Sequence, residues 1–192
     1  EGDYDYPEDL PQVSLNRLAA MTATAAEGGG GGDDDFRRLR RSLFGQLHDN
    51  LHFLEARSLR LGYTHPMDDA QERTFKVKFE GEGVDDYGGP FREIFVQAPL
   101  ELQAVDETRQ DRCILPLFLP VVANDDTSKS FVPNPQAHSR MHLGMFEFLG
   151  KLIGVALRCE VTMQLELPSR VWKALLDEPL NLEDVCDVSE AV

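Results

Sequence analysis

Apolar residues recur at helical spacing in the part of the chain that begins at Phe36. The positions on this stripe are Phe36, Leu39, Leu43, Leu47, Leu51 and Leu54. Spacings of three and four residues place side chains on one face of a helix, so the pattern predicts one long amphipathic helix that packs through this stripe. Gly62 is placed to stop the helix, and Pro66 lies just beyond it.

A strict alternation of apolar and polar residues follows. The apolar positions are Phe75, Val77 and Phe79. This is the period of a strand with one buried face, and a glycine-rich loop from Gly81 to Gly89 ends the strand. Pro90 then suits the first position of a helix, because its missing N–H would lack a partner there in any case. Pro99 is expected to kink or divide that helix.

The second half of the chain contains further apolar stretches. The run from Cys113 to Val122 is punctuated by two prolines, which favours one or two short strands at a sheet edge or bend. The stretch from Met141 to Arg158 is apolar on nearly every side, so it predicts a helix in the middle of the core. Gly150 and Gly154 share one face of this helix and would let another backbone approach closely. The pattern then predicts a short strand at 161–167 and a helix from 169.

Long helices interleaved with short strands predict an α+β fold that is mostly helical. Residues 1–35 differ in composition, with nine acidic residues, one basic residue and the five consecutive glycines 28–32. Such a segment cannot offset its ordering entropy by burial. The sequence therefore predicts a flexible acidic linker over 1–35 and one folded domain over 36–192.

Composition limits the classes of function. The chain has 192 residues, 42% of them hydrophobic, which is enough for one buried core. Its formal net charge of −15 argues against nucleic-acid binding, because phosphate contacts come from clustered Lys and Arg. The one basic cluster, at 37–41, directly follows three aspartates, so the two groups compensate each other. Without a signal pattern or an apolar run of membrane-spanning length, the cytoplasm is the expected location and the nucleus the alternative.

The glycine loop raises the question of a phosphate site, because a strand, a glycine loop and a helix N-terminus can together bind phosphate. The spacing does not fit. Asp86 stands where a dinucleotide fingerprint needs glycine, and Gly89 and Pro90 replace the Lys and Ser/Thr of a P-loop. Glu82, Asp85 and Asp86 would repel an anion, and they lack the ligand alternation of an EF-hand. We expect neither cofactor nor metal, and predict an elbow whose glycines provide positive φ and close packing.

Two pairs of histidines have the spacing of metal ligands on one helix face. They are His48 with His52, and His138 with His142. The first pair lies about 100° from the leucine stripe, which predicts that both rings face solvent. Because no third ligand follows at a recognisable distance, we interpret these residues as surface histidines rather than zinc ligands.

The three cysteines, Cys113, Cys159 and Cys186, form no paired motif, which suits a reducing compartment. A catalytic thiol needs a neighbouring base or cation, and none of the three has a histidine nearby in the sequence. All three are predicted to be buried thiols rather than nucleophiles.

Several segments, in a fixed order, resemble one protein family. They are RTFKVKFEGEGVDDYGGPFREIF from Arg73, FVPNP from Phe131, MFEFLGKLIGVALR from Met145, LPSRVWKALL from Leu167 and LEDV from Leu182. SLFGQL from Ser42 is similar to the helix that usually precedes them. Together they resemble the N-terminal lobe of a HECT-type E3 ubiquitin ligase over roughly residues 40–188, in a style similar to the HERC-like ligases. Pro99 departs from the family pattern, which usually continues that helix unbroken.

The resemblance implies a function and a division of labour. In this family, ubiquitin passes from an E2 thioester to a cysteine on the C-terminal lobe and then to a substrate lysine. The E2 docks on a small subdomain late in the N-terminal lobe, and both elements are expected beyond Val192. The chain would therefore be a scaffold that holds no catalytic residue and is inactive alone. E2 and ubiquitin are the implied partners.

The same resemblance assigns architectural roles to a set of signature positions. They are Gly81, Glu82, Gly88, Gly89, Arg92, Glu93, Asn134 and Pro135. The glycines are implied to turn the chain, and Arg92 with Glu93 to supply the polar contacts that fix the elbow.

Two functional hypotheses remain. In the first, the chain is part of a working ligase whose other segments hold the E2 site and the reactive cysteine. In the second, it is a truncated HECT-like interaction module that binds a partner without catalysis, with the acidic segment as a docking site. Only the first predicts a thioester on the natural protein.

Overall fold

The fold contains six helices and three two-stranded sheets in the part of the chain that the structure describes. A computed structural model describes residues 10–25, 32–64, 71–83, 89–122, 129–182 and 184. The helices are α1 Arg17–Ala25, α2 Gly32–Arg41, α3 Leu43–Leu51, α4 Gly89–Leu102, α5 Arg140–Arg158 and α6 Ser169–Leu175. The strands are β1 Gln12–Leu15, β2 Tyr63–Thr64, β3 Glu72–Arg73, β4 Lys76–Phe79, β5 Phe118–Val122 and β6 Lys129–Pro133. The predicted α+β fold, mostly helical, is confirmed.

Each sheet joins two strands. β1 pairs with β4 in parallel, whereas β2 with β3 and β5 with β6 are antiparallel. The predicted strand at Phe75–Phe79 is confirmed as β4, and the Cys113–Val122 run provides β5. The predicted strand at 161–167 is not formed. These residues are irregular, although the backbone N–H of Phe131 donates to the carbonyl of Glu166 at 2.7 Å.

The single long helix predicted from Phe36 is wrong, because Ser42 divides it into α2 and α3. Ser42 is fully buried, and its hydroxyl accepts a hydrogen bond from the Gly45 N–H at 3.0 Å while donating to the Leu39 carbonyl at 2.7 Å. This is the N-cap arrangement that begins a new helix. The leucine stripe continues across the break, so spacing alone could not reveal it. α3 ends at Leu51, well before Gly62.

The flexible linker predicted over 1–35 is wrong for residues 12–25, which form β1 and α1 and are called the β1–α1 arm below. Val13 and Leu15 are 0% exposed and lie opposite Val77 and Phe79 in the parallel pairing. Composition averaged over the whole segment concealed this short apolar alternation. Residues 1–9 and 26–31 of the predicted linker lie outside the described residues.

α4 begins at Gly89, one residue before the predicted first position at Pro90, and Pro99 does not divide it. The helix continues to Leu102, and the N–H of Gln103 donates to the Pro99 carbonyl at 3.0 Å. Only the bond that the Pro99 nitrogen would have donated is missing. Because Pro99 is itself buried, its ring adds apolar contacts to the core.

α5 spans the predicted residues and packs through one face. Met145, Phe148 and Leu152 are buried, whereas Leu143 and Leu157 are 57% and 76% exposed. The prediction of a helix buried on nearly every side is therefore wrong. A Cβ added at Gly150 or Gly154 would meet nothing within 4 Å, so these glycines do not receive the close backbone predicted for them. α6 forms where a helix was predicted.

Candidate functional site

The glycine elbow connects β4 to α4. Gly81 follows the strand with a φ of +81°, a conformation that glycine adopts without strain, which confirms the predicted turn at that position. The φ angles of Gly83 and Gly89 do not lie in this positive range. A Cβ added at Gly81, Gly83 or Gly89 would meet nothing within 4 Å. The predicted close packing is therefore not found at these three glycines. Residues 84–88, which include the signature residue Gly88, lie outside the described part of the chain.

Arg17, the first residue of α1, connects the elbow to the arm. Its guanidinium makes a bidentate pair with the Glu93 carboxylate on α4, with Nη2 and Oε2 3.1 Å apart. Its Nε lies 2.8 Å from a carboxylate oxygen of Glu82, and its Cζ lies 4.0 Å from the centre of the Phe79 ring. The hydrogen bond with Glu93 raises the pKa of Arg17, so the guanidinium stays charged. These four residues are called the Arg17 cluster.

Two of the signature carboxylates contact a residue outside the signature set. Glu93 and Glu82 both contact Arg17 of the arm. Arg92 is exposed and makes no ion pair with any described residue. Arg17 was not predicted as a functional residue, because it lies in the predicted linker. One signal was present, since Arg17 is the single basic residue among nine acidic ones there.

A second set of hydrogen bonds fixes the junction of β1 and α1. The Asn16 N–H donates to the Gln46 side-chain carbonyl at 2.6 Å, and the Gln46 amide donates back to the Asn16 carbonyl at 3.0 Å. The Asn16 side-chain amide also donates from Nδ2 to Glu80 at 2.9 Å. Its side-chain oxygen Oδ1 caps α1 by accepting from the Ala19 N–H at 2.8 Å. The arm is therefore joined to α3 and to the end of β4 as well as to the elbow.

The signature pair Asn134 and Pro135 lies in a turn after β6. The Asn134 amide donates to the Pro116 carbonyl at 2.9 Å, and its side-chain oxygen accepts from the Gln136 N–H at 2.9 Å. Pro135 is exposed in the same turn. These contacts join the turn to the chain before β5 and bring no reactive group together.

The thiols of Cys113 and Cys159 are buried and unpaired. Burial raises the pKa of Cys113 to about 12 and that of Cys159 to about 11. A thiol attacks as its thiolate, so neither group is a nucleophile at neutral pH. Their predicted burial is confirmed, and Cys186 lies outside the described residues.

The histidines are placed differently from one another. His52 is exposed as predicted, but the His48 side chain is only 12% exposed, because its ring packs edge-on against Phe148 with the ring centres 5.6 Å apart. The solvent-facing prediction for His48 is therefore wrong. His138 is exposed and His142 half-buried.

Within the described residues, no group of three or more His, Cys, Asp and Glu side chains could hold a metal ion. In the same part of the chain, every helix is too short or too polar to span a membrane.

The elbow and the helices around it can be compared with known proteins. The sequence model of the HECT-domain (ubiquitin-transferase) family matches residues 107–192. The E3 ubiquitin-protein ligases HERC2 of Mus musculus and Homo sapiens are each 31% identical to the chain over 184 residues. The probable E3 ubiquitin-protein ligase HECTD4 of Homo sapiens is 32% identical over 117 residues, or 61% of the chain.

The extent of these matches bears on the boundaries of the domain. The HERC2 alignments cover 94% of this chain, so they necessarily include residues of the β1–α1 arm. The chain spans only 3% of the length of each of these relatives. The chain belongs to the HECT-domain family, as an N-terminal segment of that domain similar to the one in HERC2.

Proposed function

We propose that this chain is scaffold for the N-terminal lobe of a HECT-type E3 ubiquitin-protein ligase. The whole protein accepts ubiquitin from an E2 as a thioester and transfers it to substrate lysines. The single observation that carries the scaffold role is the state of the two described thiols. Both are buried with strongly raised pKa values, so neither of them serves as the transfer cysteine.

The contribution of this segment is positional. The Arg17 cluster fixes the direction in which α4 leaves the elbow, and α3, α4 and α5 share one core. A rigid support of this kind lets the other segments of the domain hold the E2 and the reactive cysteine in a productive geometry. E2 and ubiquitin are the proposed partners. The unpaired cysteines support a location in the cytoplasm or nucleus.

The test is thioester formation on the protein at its natural length. We expect incubation with E1, an E2, ubiquitin and ATP to give an adduct on a non-reducing gel that a thiol reductant removes. A Cys113→Ala/Cys159→Ala variant should form the adduct at the same rate, because neither thiol takes part. The 192-residue chain alone should form none.

Two results would contradict the proposal. Loss of the adduct in the double-alanine variant, with the fold intact by circular dichroism, would place the transfer thiol within this chain. Absence of any adduct on the natural protein, combined with retention of a protein partner in a pull-down, would favour the interaction module without transferase activity.

A further inference from the structure

Two imidazoles stack where α3 meets α5. The rings of His48 and His52 are nearly parallel, at 9°, with their centres 4.4 Å apart. On the α5 side, His48 contacts Phe148 edge-on. This group of residues is called the histidine seam. It takes no part in the Arg17 cluster or in the proposed transfer role.

The hydrogen bonds define where the next proton would bind. His52 Nδ1 lies 2.7 Å from the His48 carbonyl, which can only accept, so this nitrogen carries a hydrogen. His48 Nδ1 lies 3.3 Å from the Asp49 carboxylate, which accepts hydrogen bonds, so His48 Nδ1 is also assigned a hydrogen. In the neutral rings, Nε2 therefore carries the free lone pair. Protonation of the His48 ring adds its proton at Nε2.

His48 Nε2 is badly placed to receive a proton. This nitrogen faces the backbone of α5, because a Cβ added at Gly144 would lie 3.9 Å from it. The carbonyls of a helix are already used by its own hydrogen bonds. No described residue accepts a hydrogen bond from this atom, and only 12% of the side chain is open to water. A proton at His48 Nε2 would therefore have no acceptor among the described residues.

The charges around the seam also oppose protonation. Among the described residues, Asp49 of α3 is the one carboxylate bonded to His48, and Arg40 of α2 already binds it at 2.7 and 3.0 Å. From α5, Lys151 donates to the His52 carbonyl at 3.1 Å, and its partner Glu147 is 72% exposed. A protonated His48 ring would add a cation beside Arg40 and Lys151. Burial is the main cause that lowers the pKa of His48, and His52 and Arg40 lower it further against the effect of Asp49.

We propose that the histidine seam is a pH-sensitive contact that holds α3 against α5 at neutral pH and loosens in mildly acidic solution. A proton at His48 Nε2 displaces the ring from Gly144 toward water, which breaks the stack with His52. The sign follows from linkage. Folding lowers this pKa, so the stability contribution is fully present above the ordinary value of 6.5 and is lost as the pH falls below it.

The experiment compares urea unfolding of the 192-residue chain at pH 7.5 and pH 5.5. In the unmodified chain, the unfolding equilibrium constant should rise on acidification by up to about tenfold for each unit by which folding lowers the His48 pKa. His48→Gln should remove this increment, because glutamine does not titrate. His138→Gln, which alters an exposed histidine, is the matched control and should leave the increment unchanged.

Proton NMR provides the second measurement, which does not depend on the folding of the glutamine variant. The His48 ring should titrate with a midpoint below that of a free histidine. Arg40→Gln returns the Asp49 carboxylate to His48, so it should raise the midpoint and reduce the loss of stability in acid. A His48 midpoint at or above the free value, or an acid loss that persists unchanged in His48→Gln, would overturn the proposal.

Discussion

One guanidinium joins the parts of the molecule that surround the elbow. Arg17 binds Glu93 at the start of α4 and Glu82 just after β4, and it covers the Phe79 ring. Bidentate pairing and ring contact both use the planar fork of arginine, which lysine cannot reproduce. Because the guanidinium and both carboxylates are about one-third exposed or more, solvent screening limits the energy of these pairs.

At this scale we predict that Arg17→Gln lowers the free energy of unfolding by about 1 kcal/mol, after allowance for screening. The loss arises because Glu82 and Glu93 are left close together without a cation. Arg17→Lys should recover only part of it. Urea denaturation at low and high salt measures the effect, and Arg92→Gln on exposed α4 surface is the control. Equal losses for Arg17→Gln and Arg92→Gln would show that the Arg17 cluster contributes nothing specific.

At the scale of elements, the backbones of α2 and α3 approach closely at Gly45. A Cβ added at Gly45 would lie 1.9 Å from the Leu39 carbonyl oxygen and 2.9 Å from the Arg40 Cα. These are backbone atoms, so relief requires α2 to move relative to α3. Gly45 is therefore needed for close approach.

Gly45→Ala should destabilise the chain by about 2 to 3 kcal/mol, as expected for an overpacked core site. Gly150→Ala is the matched control on the open face of α5, where the new methyl group meets nothing within 4 Å. It should stabilise the chain by about 0.5 to 1 kcal/mol through the better helix propensity of alanine. Thermal unfolding of both variants gives the comparison. A Gly45→Ala variant as stable as the unmodified chain would contradict the close packing.

The elements differ in how far local sequence could predict them. β4 and α5 follow from apolar periodicity, because their own residues contain the signal. The break at Ser42 depends on a buried hydroxyl between two helices that share one apolar stripe. The spacing of apolar residues is the same with or without this break, so it could not predict the break. Glu93 was recognised in the sequence as a signature position, but its partner Arg17 lies 76 residues away. Local pattern could not supply such a contact.

At the scale of the whole molecule, the β1–α1 arm is part of the folded unit rather than a tether. β1 covers the edge of β4 and buries Val13 and Leu15 completely. An exposed strand edge invites pairing with other chains, so the arm also protects β4. A domain boundary placed at residue 36 would remove this cover.

Leu15→Ala should therefore cost about 2 to 5 kcal/mol, the range for a leucine truncated in a packed core. Leu18→Ala is the control within the same arm, because Leu18 is 72% exposed and should change stability by less than about 0.5 kcal/mol. Chemical denaturation of the two variants distinguishes a docked arm from a loose one. Small and equal effects at both positions would mean that the arm is not packed in solution.

The parallel pairing of β1 with β4 also sets an order of events during synthesis. The partners are far apart in the chain, and Asn16 must wait for Glu80, 64 residues later. Ribosomes add about 5 to 20 residues per second, so the arm emerges several seconds before the strand that will receive it. Until β4 emerges, Val13 and Leu15 lack the strand that lies opposite them in the folded chain. Nascent chains of this protein therefore pass through a stage in which an apolar strand is open to chaperones.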